Sequence, residues 1–390
     1  MEELKVLNDM EVIEFIKLHV KKYIAKTKFT LKSIFADNWD GFCHHVKNIR
    51  KVVLIEVDKL ISCGTLDKGF AIYTCDCGEF LFVPFTCKSR LCPSCGIKYA
   101  QDRANSISEK CINCNHRHLV FTIPQELRSV FRENRNLLDI LFSASSEVLF
   151  SYFKQLNKKE QFKPGFISSI HTFGRDLKWN PHIHILLSEV ALGNLSSKKV
   201  TYLPYEMLRK RWQTTLLYAL QKALGKRPLF TKLKCELYAK NQNGFYVYAK
   251  PKKYNNLIDA INYIIRYCGR PCMAQSRIID YDGDFVTFWY QRHDDNKYVV
   301  EKIHVYEFIK RIIVHIPERY FNTIRYYGIY AKPKVYTKNL LKLVTDNAKK
   351  LRATIYKNWR NRINYFFNID PLLCKCGKIM TYSSIIFNSS

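Results

Sequence analysis

Six cysteines fall between Cys63 and Cys95, in CGTLDKGFAIYTCDCGEFLFVPFTCKSRLCPSCG, and they limit what this part of the chain can become. A segment so short has too few apolar side chains for a core of its own and needs a cross-link. Cys92-Pro-Ser-Cys95 is a knuckle that brings two thiolates to one tetrahedral zinc, and a second pair upstream completes the set. Cys75-Asp-Cys77 is one residue shorter than the usual spacing. Either both of its thiolates bind, or Cys63 or Cys87 replaces one. Structural Zn2+ is therefore expected on a set drawn from Cys63, Cys75, Cys77, Cys87, Cys92 and Cys95. A redox C-x-x-C would not need the other cysteines around it. Cys111-Ile-Asn-Cys114 and Cys374-Lys-Cys376 lack a nearby partner pair, and both are read as free thiols.

The rest of the composition narrows the function. Lys and Arg number 63 against 34 Asp and Glu, a net charge of +29 spread along the chain. Such a field attracts polyanions, so nucleic acid is the first expected partner. The 25 Tyr and 25 Phe provide faces on which unpaired bases can stack, although most must fill the core. No apolar run reaches spanning length, and the start MEELKVLNDMEVIEF is acidic where a signal peptide would be basic. The expectation is a cytoplasmic protein without a membrane partner. In that compartment the 14 cysteines mean metal or free thiol and not disulfides.

Chemistry concentrates in SSIHTFGRDLKWNPHIHILL. Alternate residues of a strand share a face, so His182 and His184 project together while Ile183 and Ile185 face a core. His171 lies eleven positions before His182, across a turn from Gly174 to Asn180. A hairpin of that length returns His171 to the pair, and three neutral imidazoles at one point suit a divalent ion, with Mg2+ or Mn2+ the expectation for chemistry on a phosphate. Arg175, in the turn, is expected to contact DNA. Further on, NNLIDAINYIIRYCGRP reads as a helix with an Asn cap and a Gly-x-Pro stop. Tyr263 and Tyr267 sit one turn apart on it, beside the apolar stripe, with Arg266 and Arg270 placed to hold a phosphate. Tyr326 and Tyr330 repeat the spacing around Gly328 in a poorer helix. A tyrosine hydroxyl near such an ion can attack a backbone phosphate, and the covalent link conserves the bond for rejoining without a nucleotide cofactor.

Residues 1–46 carry helical periodicity, 47–115 form the cysteine module, 116–332 alternate strands and helices, and 333–390 form a basic tail. Within the third segment, HRHLVFTIP and DFVTFWYQ read as strands, and Leu137–Phe153 and PYEMLRKRWQTTLLYALQKAL as helices. Lys88 and Arg90 in the module, with Lys98, are placed to touch phosphates.

Together FTCKSRLCPSCG, HRHLVFTIPQELRSVF, PGFISSIHTFGRDLKWNPHIHILLSE, GFYVYAKP, YIIRYCGRP, SRIIDYDGDFVTFWYQRHDDN and IPERYFNTIRYYGIYA resemble the IS91-type transposases, of the HUH single-strand endonuclease superfamily. The resemblance implies an α+β fold: a ferredoxin-like antiparallel sheet with helices on one face, preceded by a small zinc-binding domain. It also implies rolling-circle transposition through single-stranded DNA, with His182 and His184 as the metal motif, Tyr263 and Tyr267 as the tyrosine pair and, more loosely, His171 as the third metal histidine. The competing expectations are a plasmid replication initiator or relaxase with the same core, and a zinc-stabilised DNA-binding regulator without catalysis.

Overall fold

A computed structural model describes residues 3–6, 29–108, 111–112, 114–156, 160, 162–193, 196–248, 271–292, 295–331, 359–367 and 369–387. In chain order the elements are β1 (Glu3–Val6), α1 (Leu31–His45), α2 (Lys51–Ile61), β2 (Phe70–Thr74), β3 (Phe80–Pro84), α3 (Pro93–Ser108) and β4 (His116–Phe121). Next come α4 (Arg128–Glu133), α5 (Leu138–Leu156), β5 (Lys163–Phe173), β6 (Trp179–Leu192), β7 (Ser197–Lys199), α6 (Tyr205–Leu224), α7 (Pro228–Lys240) and β8 (Val247–Tyr248). The last are β9 (Ile278–Tyr281), β10 (Phe285–Gln291), β11 (Tyr298–His304), α8 (Val305–Ile313), β12 (Ile324–Gly328), α9 (Trp359–Phe367) and β13 (Thr381–Ile386). Helices and antiparallel sheets together make an α+β protein. No described helix is long and apolar enough to cross a membrane.

The largest sheet has the order β12-β5-β6-β4-β8, with β7 added to β6. Its central strands, β5 and β6, are the longest, at 11 and 14 residues. Leu119 and Phe121 of β4, Phe166 and Ile170 of β5, and Ile183, Ile185 and Leu187 of β6 share one face and pack on α5 and α6. Leu141, Phe142, Leu149 and Phe153 of α5 and Trp212, Leu216 and Leu220 of α6 supply the other half of that core. Each such side chain contributes about 1.5–3 kcal/mol when buried. The indole of Trp212 satisfies its one donor on the Thr122 carbonyl at 2.7 Å. The opposite parity of the same strands carries the histidines, so the packing that holds the sheet also aims them.

A second core joins parts of the chain that are far apart in sequence. The sheet β1-β11-β10-β9 packs with α1, α2 and α8, burying Ile34, Phe35, Phe42, Val57, Phe288 and Phe308. Inside it Arg311 and Glu301 form a buried ion pair at 2.7 Å. This core includes Leu91, Cys92 and Cys95, and it crosses the expected boundaries at 46/47 and 115/116. The helical reading of residues 1–46 is correct for α1, which opens on a capping box between Thr30 and Ser33. It is wrong for Glu3–Val6, which pairs with Val299–Lys302 of β11. The edge of β11 offers backbone partners that override a weak local helical preference.

The segment 333–390 does not end as a tail. β13 pairs antiparallel with β2 and makes β13-β2-β3 a three-stranded sheet on the cysteine module. Sequence periodicity sees helix and charge in this region but cannot see which distant strand completes a hairpin.

Candidate metal centre

β5 and β6 pair antiparallel with His171 directly opposite His182 and Ser169 opposite His184. The turn between them, closed by Gly174 N–H to the Lys178 carbonyl at 3.1 Å, sets this register. The three imidazoles therefore converge. Ring centroids lie 5.6 Å apart for His171 and His182, 4.5 Å for His171 and His184, and 4.8 Å for His182 and His184. One ligating atom from each can be chosen so that all lie within 4.8 Å of one another. Three nitrogens each about 2.1 Å from one cation stand roughly 3.0–3.6 Å apart, so side-chain adjustments of about 1 Å close the set.

Neighbouring groups fix which nitrogen faces inward. His182 donates from Nδ1 to the Asn180 carbonyl at 2.7 Å, leaving Nε2 as its lone-pair atom in the neutral ring. Nδ1 of His184 is hydrogen-bonded to Nε2 of His118 at 2.8 Å, with the two rings stacked at 5.1 Å. A metal-binding histidine needs such an outer partner to set tautomer and ring angle. Burial, then the neighbouring imidazoles, holds His171 and His184 well below the ordinary histidine pKa. His118 is lowered to about 4, by burial first and by His182 second. At neutral pH His171, His184 and His118 are thus uncharged, the form in which an imidazole ligates. With His182 half-buried beside them, the three rings on adjacent strands fit a divalent ion.

A cavity of about 610 Å³ lies beside β5, lined by Lys88, Arg90, Arg135, Thr172, Pro271 and Arg319 among others, with none of the three histidines in its wall. Arg90 donates to Thr323 Oγ1 at 2.6 Å, and its guanidinium lies 5.5 Å from the Tyr99 ring centroid. It is close enough to His171 to help depress that ring's pKa. Lys88 is exposed, with a φ of 54°. Arg175, by contrast, turns toward the second sheet and donates to the Gln291 carbonyl at 3.1 Å and to its Oε1 at 3.2 Å.

Tyr263, Tyr267, Arg266 and Arg270 lie outside the described residues. Two described residues flank them. Tyr248 pairs with Val120, two residues from His118 on β4, and Pro271 packs against Gly96 of α3, near the Arg90 carbonyl. Tyr326 and Tyr330 belong to β12 and the turn after it, and Tyr330 Oη is bonded to His116 Nε2 at 2.6 Å. His118 escaped the sequence reading. Its signal was the alternation His116-Arg-His118-Leu in β4, the same two-residue period that identified His182 and His184.

The structure divides the six clustered cysteines. Cys63, Cys87, Cys92 and Cys95 converge, with Sγ of Cys63 3.6 Å from that of Cys95 and 3.8 Å from that of Cys92. Tetrahedral Zn–S bonds of about 2.3 Å place sulfurs roughly 3.8 Å apart. Backbone amides of Cys87 and Ser89 donate to the sulfurs of Cys63 and Cys87, both at 3.4 Å, as thiolates require. This set fits structural zinc. Cys75 and Cys77, expected among its ligands, lie instead with Cys374 and Cys376, so the latter pair does have a partner pair, which its sequence neighbourhood lacks. The β2–β3 hairpin carries Cys75 and Cys77 away from the knuckle, and β13 brings the distant pair to them. Cys111 and Cys114 join neither group; Cys111 packs in a small apolar cluster with Ile107, Leu186 and Tyr330.

Comparison with known proteins agrees with this division of labour. Residues 165–337 match a family model described as "Putative transposase", and residues 34–123 match the model of a transposase zinc-binding domain. The transposase for insertion sequence element IS801 of Pseudomonas savastanoi pv. phaseolicola is 30% identical over 386 residues, covering 93% of this chain and 91% of that protein. A protein described as "Putative transposase y4qJ", from Sinorhizobium fredii, is 26% identical over 292 residues, covering 68% of this chain and 71% of its own length. No solved structure matches.

Proposed function

Because the chain belongs to the IS91-type transposase family, we propose that it moves its own insertion element by nicking and rejoining single-stranded DNA through a 5′-phosphotyrosine, as in rolling-circle transposition. The observation that carries this reading is the convergence of His171, His182 and His184 on one face of a sheet whose other face is packed by helices. On this reading the sheet β12-β5-β6-β4-β8 with α5 and α6 is the ferredoxin-like core of an HUH nuclease. The three histidines hold Mg2+ or Mn2+. Bound there, such an ion supplies Lewis-acid polarisation of the scissile phosphate's non-bridging oxygens.

The chain's own groups do the rest. The hydroxyl oxygen of Tyr263 or Tyr267 attacks phosphorus, the bond from phosphorus to the 3′ oxygen breaks, and the phenolic proton is balanced by protonation of that 3′ oxygen. Arg266, Arg270, Lys88 and Arg90 neutralise phosphates along the strand. In the reverse step a 3′ hydroxyl attacks the phosphotyrosine and frees the phenol. Two tyrosines allow two strand transfers without release of the DNA. The Asn180 carbonyl keeps Nε2 of His182 unprotonated, His118 orients the His184 ring, and the zinc module is structural.

The test is a labelled single-stranded oligonucleotide carrying the element's end, incubated with the full-length protein and Mn2+. A denaturation-resistant adduct, mapped by peptide mass spectrometry to Tyr263 or Tyr267, is the expected result. An adduct that survives the combined Tyr263→Phe and Tyr267→Phe change, or tight binding with no adduct at any metal concentration, contradicts the reading.

A further inference from the structure

Away from the histidines, two segments separated by almost the whole chain meet at four sulfurs, and each arrives on a turn of the same construction. In Cys75-Asp76-Cys77-Gly78, the Cys75 amide donates to the Glu79 carbonyl and the Gly78 amide to the Cys75 carbonyl, both at 2.9 Å. In Cys374-Lys375-Cys376-Gly377, the Cys374 amide donates to the Lys378 carbonyl and the Gly377 amide to the Cys374 carbonyl, again both at 2.9 Å. The φ angles of Gly78 and Gly377 are 92° and 85°, which glycine alone adopts without strain. The two C-x-C-G turns face each other crosswise. Sγ of Cys75 is 3.5 Å from that of Cys376, and Sγ of Cys77 is 3.6 Å from that of Cys374. All four sulfurs lie within 4.8 Å of one another. Sulfurs bonded to each other would stand about 2.05 Å apart, whereas sulfurs sharing a tetrahedral zinc stand roughly 3.8 Å apart.

We propose that Cys75, Cys77, Cys374 and Cys376 hold a second structural zinc ion, which locks the end of the chain onto the zinc-binding module. The need for a metal follows from the packing. Every residue of β13 is exposed, so its backbone pairing with β2 has little hydrophobic burial behind it. Among the described residues, the buried set beneath the turns is Cys75, Leu372, Cys374 and Met380, with Tyr73, Leu81 and Trp359 partly buried against it. The Asp76–Lys378 ion pair, 3.5 Å long and exposed, contributes little. Closing a loop of nearly three hundred residues on so small a core has a large entropic cost, and four metal–thiolate bonds offset it. The module is then complete only when residues 374–376 have been made, so the carboxyl terminus is a working part of the amino-terminal domain.

Elemental analysis of the full-length His182→Ala protein, in which the histidine centre has lost a ligand, is expected to give two zinc ions per chain. Adding Cys374→Ser and Cys376→Ser is expected to lower the count to one. One zinc in the parent, or an unchanged count after the substitutions, overturns the proposal. If the substituted chain does not fold, alkylation of the unmodified protein decides. Cys374 and Cys376 are expected to resist iodoacetamide while exposed Cys235 reacts, and to become reactive together with Cys75 and Cys77 when a chelator is added. Labelling of Cys374 and Cys376 as fast as Cys235 before chelation, or their recovery as disulfides, also overturns it. Because neither readout depends on DNA cleavage, failure here leaves the transposition mechanism untouched, and the reverse holds as well.

Discussion

The histidine centre and the Cys63 centre both gather ligands around a point, but by opposite means. His171, His182 and His184 ride on long strands whose other faces are buried in a full core, so strand register places them whether or not an ion is present. Cys63, Cys87, Cys92 and Cys95 sit on a helix end, a loop and a knuckle, with short strands between them whose faces are only partly covered. Under the proposed function a metal at the first would serve chemistry, whereas one at the second would serve folding. The two should therefore respond in opposite ways to loss of a ligand.

The largest effect is expected at the cysteines. Cys92→Ser, or exhaustive chelation, should release zinc and unfold the module, since structural zinc binding contributes on the order of 10 kcal/mol. Zinc content and urea unfolding followed by circular dichroism check this. His182→Ala should do the reverse: cleavage falls at least about 1,000-fold, corresponding to several kcal/mol of lost transition-state stabilisation, while melting temperature and single-strand affinity stay near wild type. Equal loss of folding in both variants would erase the distinction.

A third effect isolates the rigid sheet. His315 is half-buried, donating from Nε2 to the Leu177 carbonyl at 2.8 Å and accepting from Thr172 Oγ1 at 3.1 Å, and desolvation of its ring lowers its pKa to about 4. The unfolded chain, with an ordinary histidine, binds that proton first as pH falls. Stability from this group is thus complete above about pH 6.5 and is lost between there and about pH 4, on the order of 3 kcal/mol. His315→Gln should flatten that part of the stability–pH curve, as read by urea midpoints. Smaller still, His118→Phe should weaken Mn2+ binding about 10–100-fold by freeing the His184 ring, with the fold retained, as calorimetry would show. Smallest is Arg175→Ala. Because its guanidinium is engaged by Gln291, the salt dependence of single-strand binding should change little, whereas Arg90→Ala should reduce the slope by about one.

The same contrast explains what the sequence could reveal. Strand alternation in Trp179–Ser188 and a turn rich in Gly, Asp and Asn were enough to bring His171 back beside His182 and His184, because both are local rules. The knuckle at Cys92 and Cys95 was equally local. Assigning Cys75 and Cys77 was not, because their partners arrive from residues 374–376 through a strand pairing that no short window contains. Likewise β1 belongs to an edge that β11 provides, and α1 and α2 belong to a core completed after residue 272. The repeated C-x-C-G was visible in the sequence, but one residue short of the familiar spacing.

The most direct test measures the yield of the covalent DNA–protein adduct against free Mn2+ for the wild type and for His182→Ala in parallel. The wild type should saturate with a single ion per chain, and the variant should bind the oligonucleotide yet give no adduct across the titration. A variant that forms the adduct at wild-type metal concentrations would show that these imidazoles are not the ligands on which strand cleavage depends.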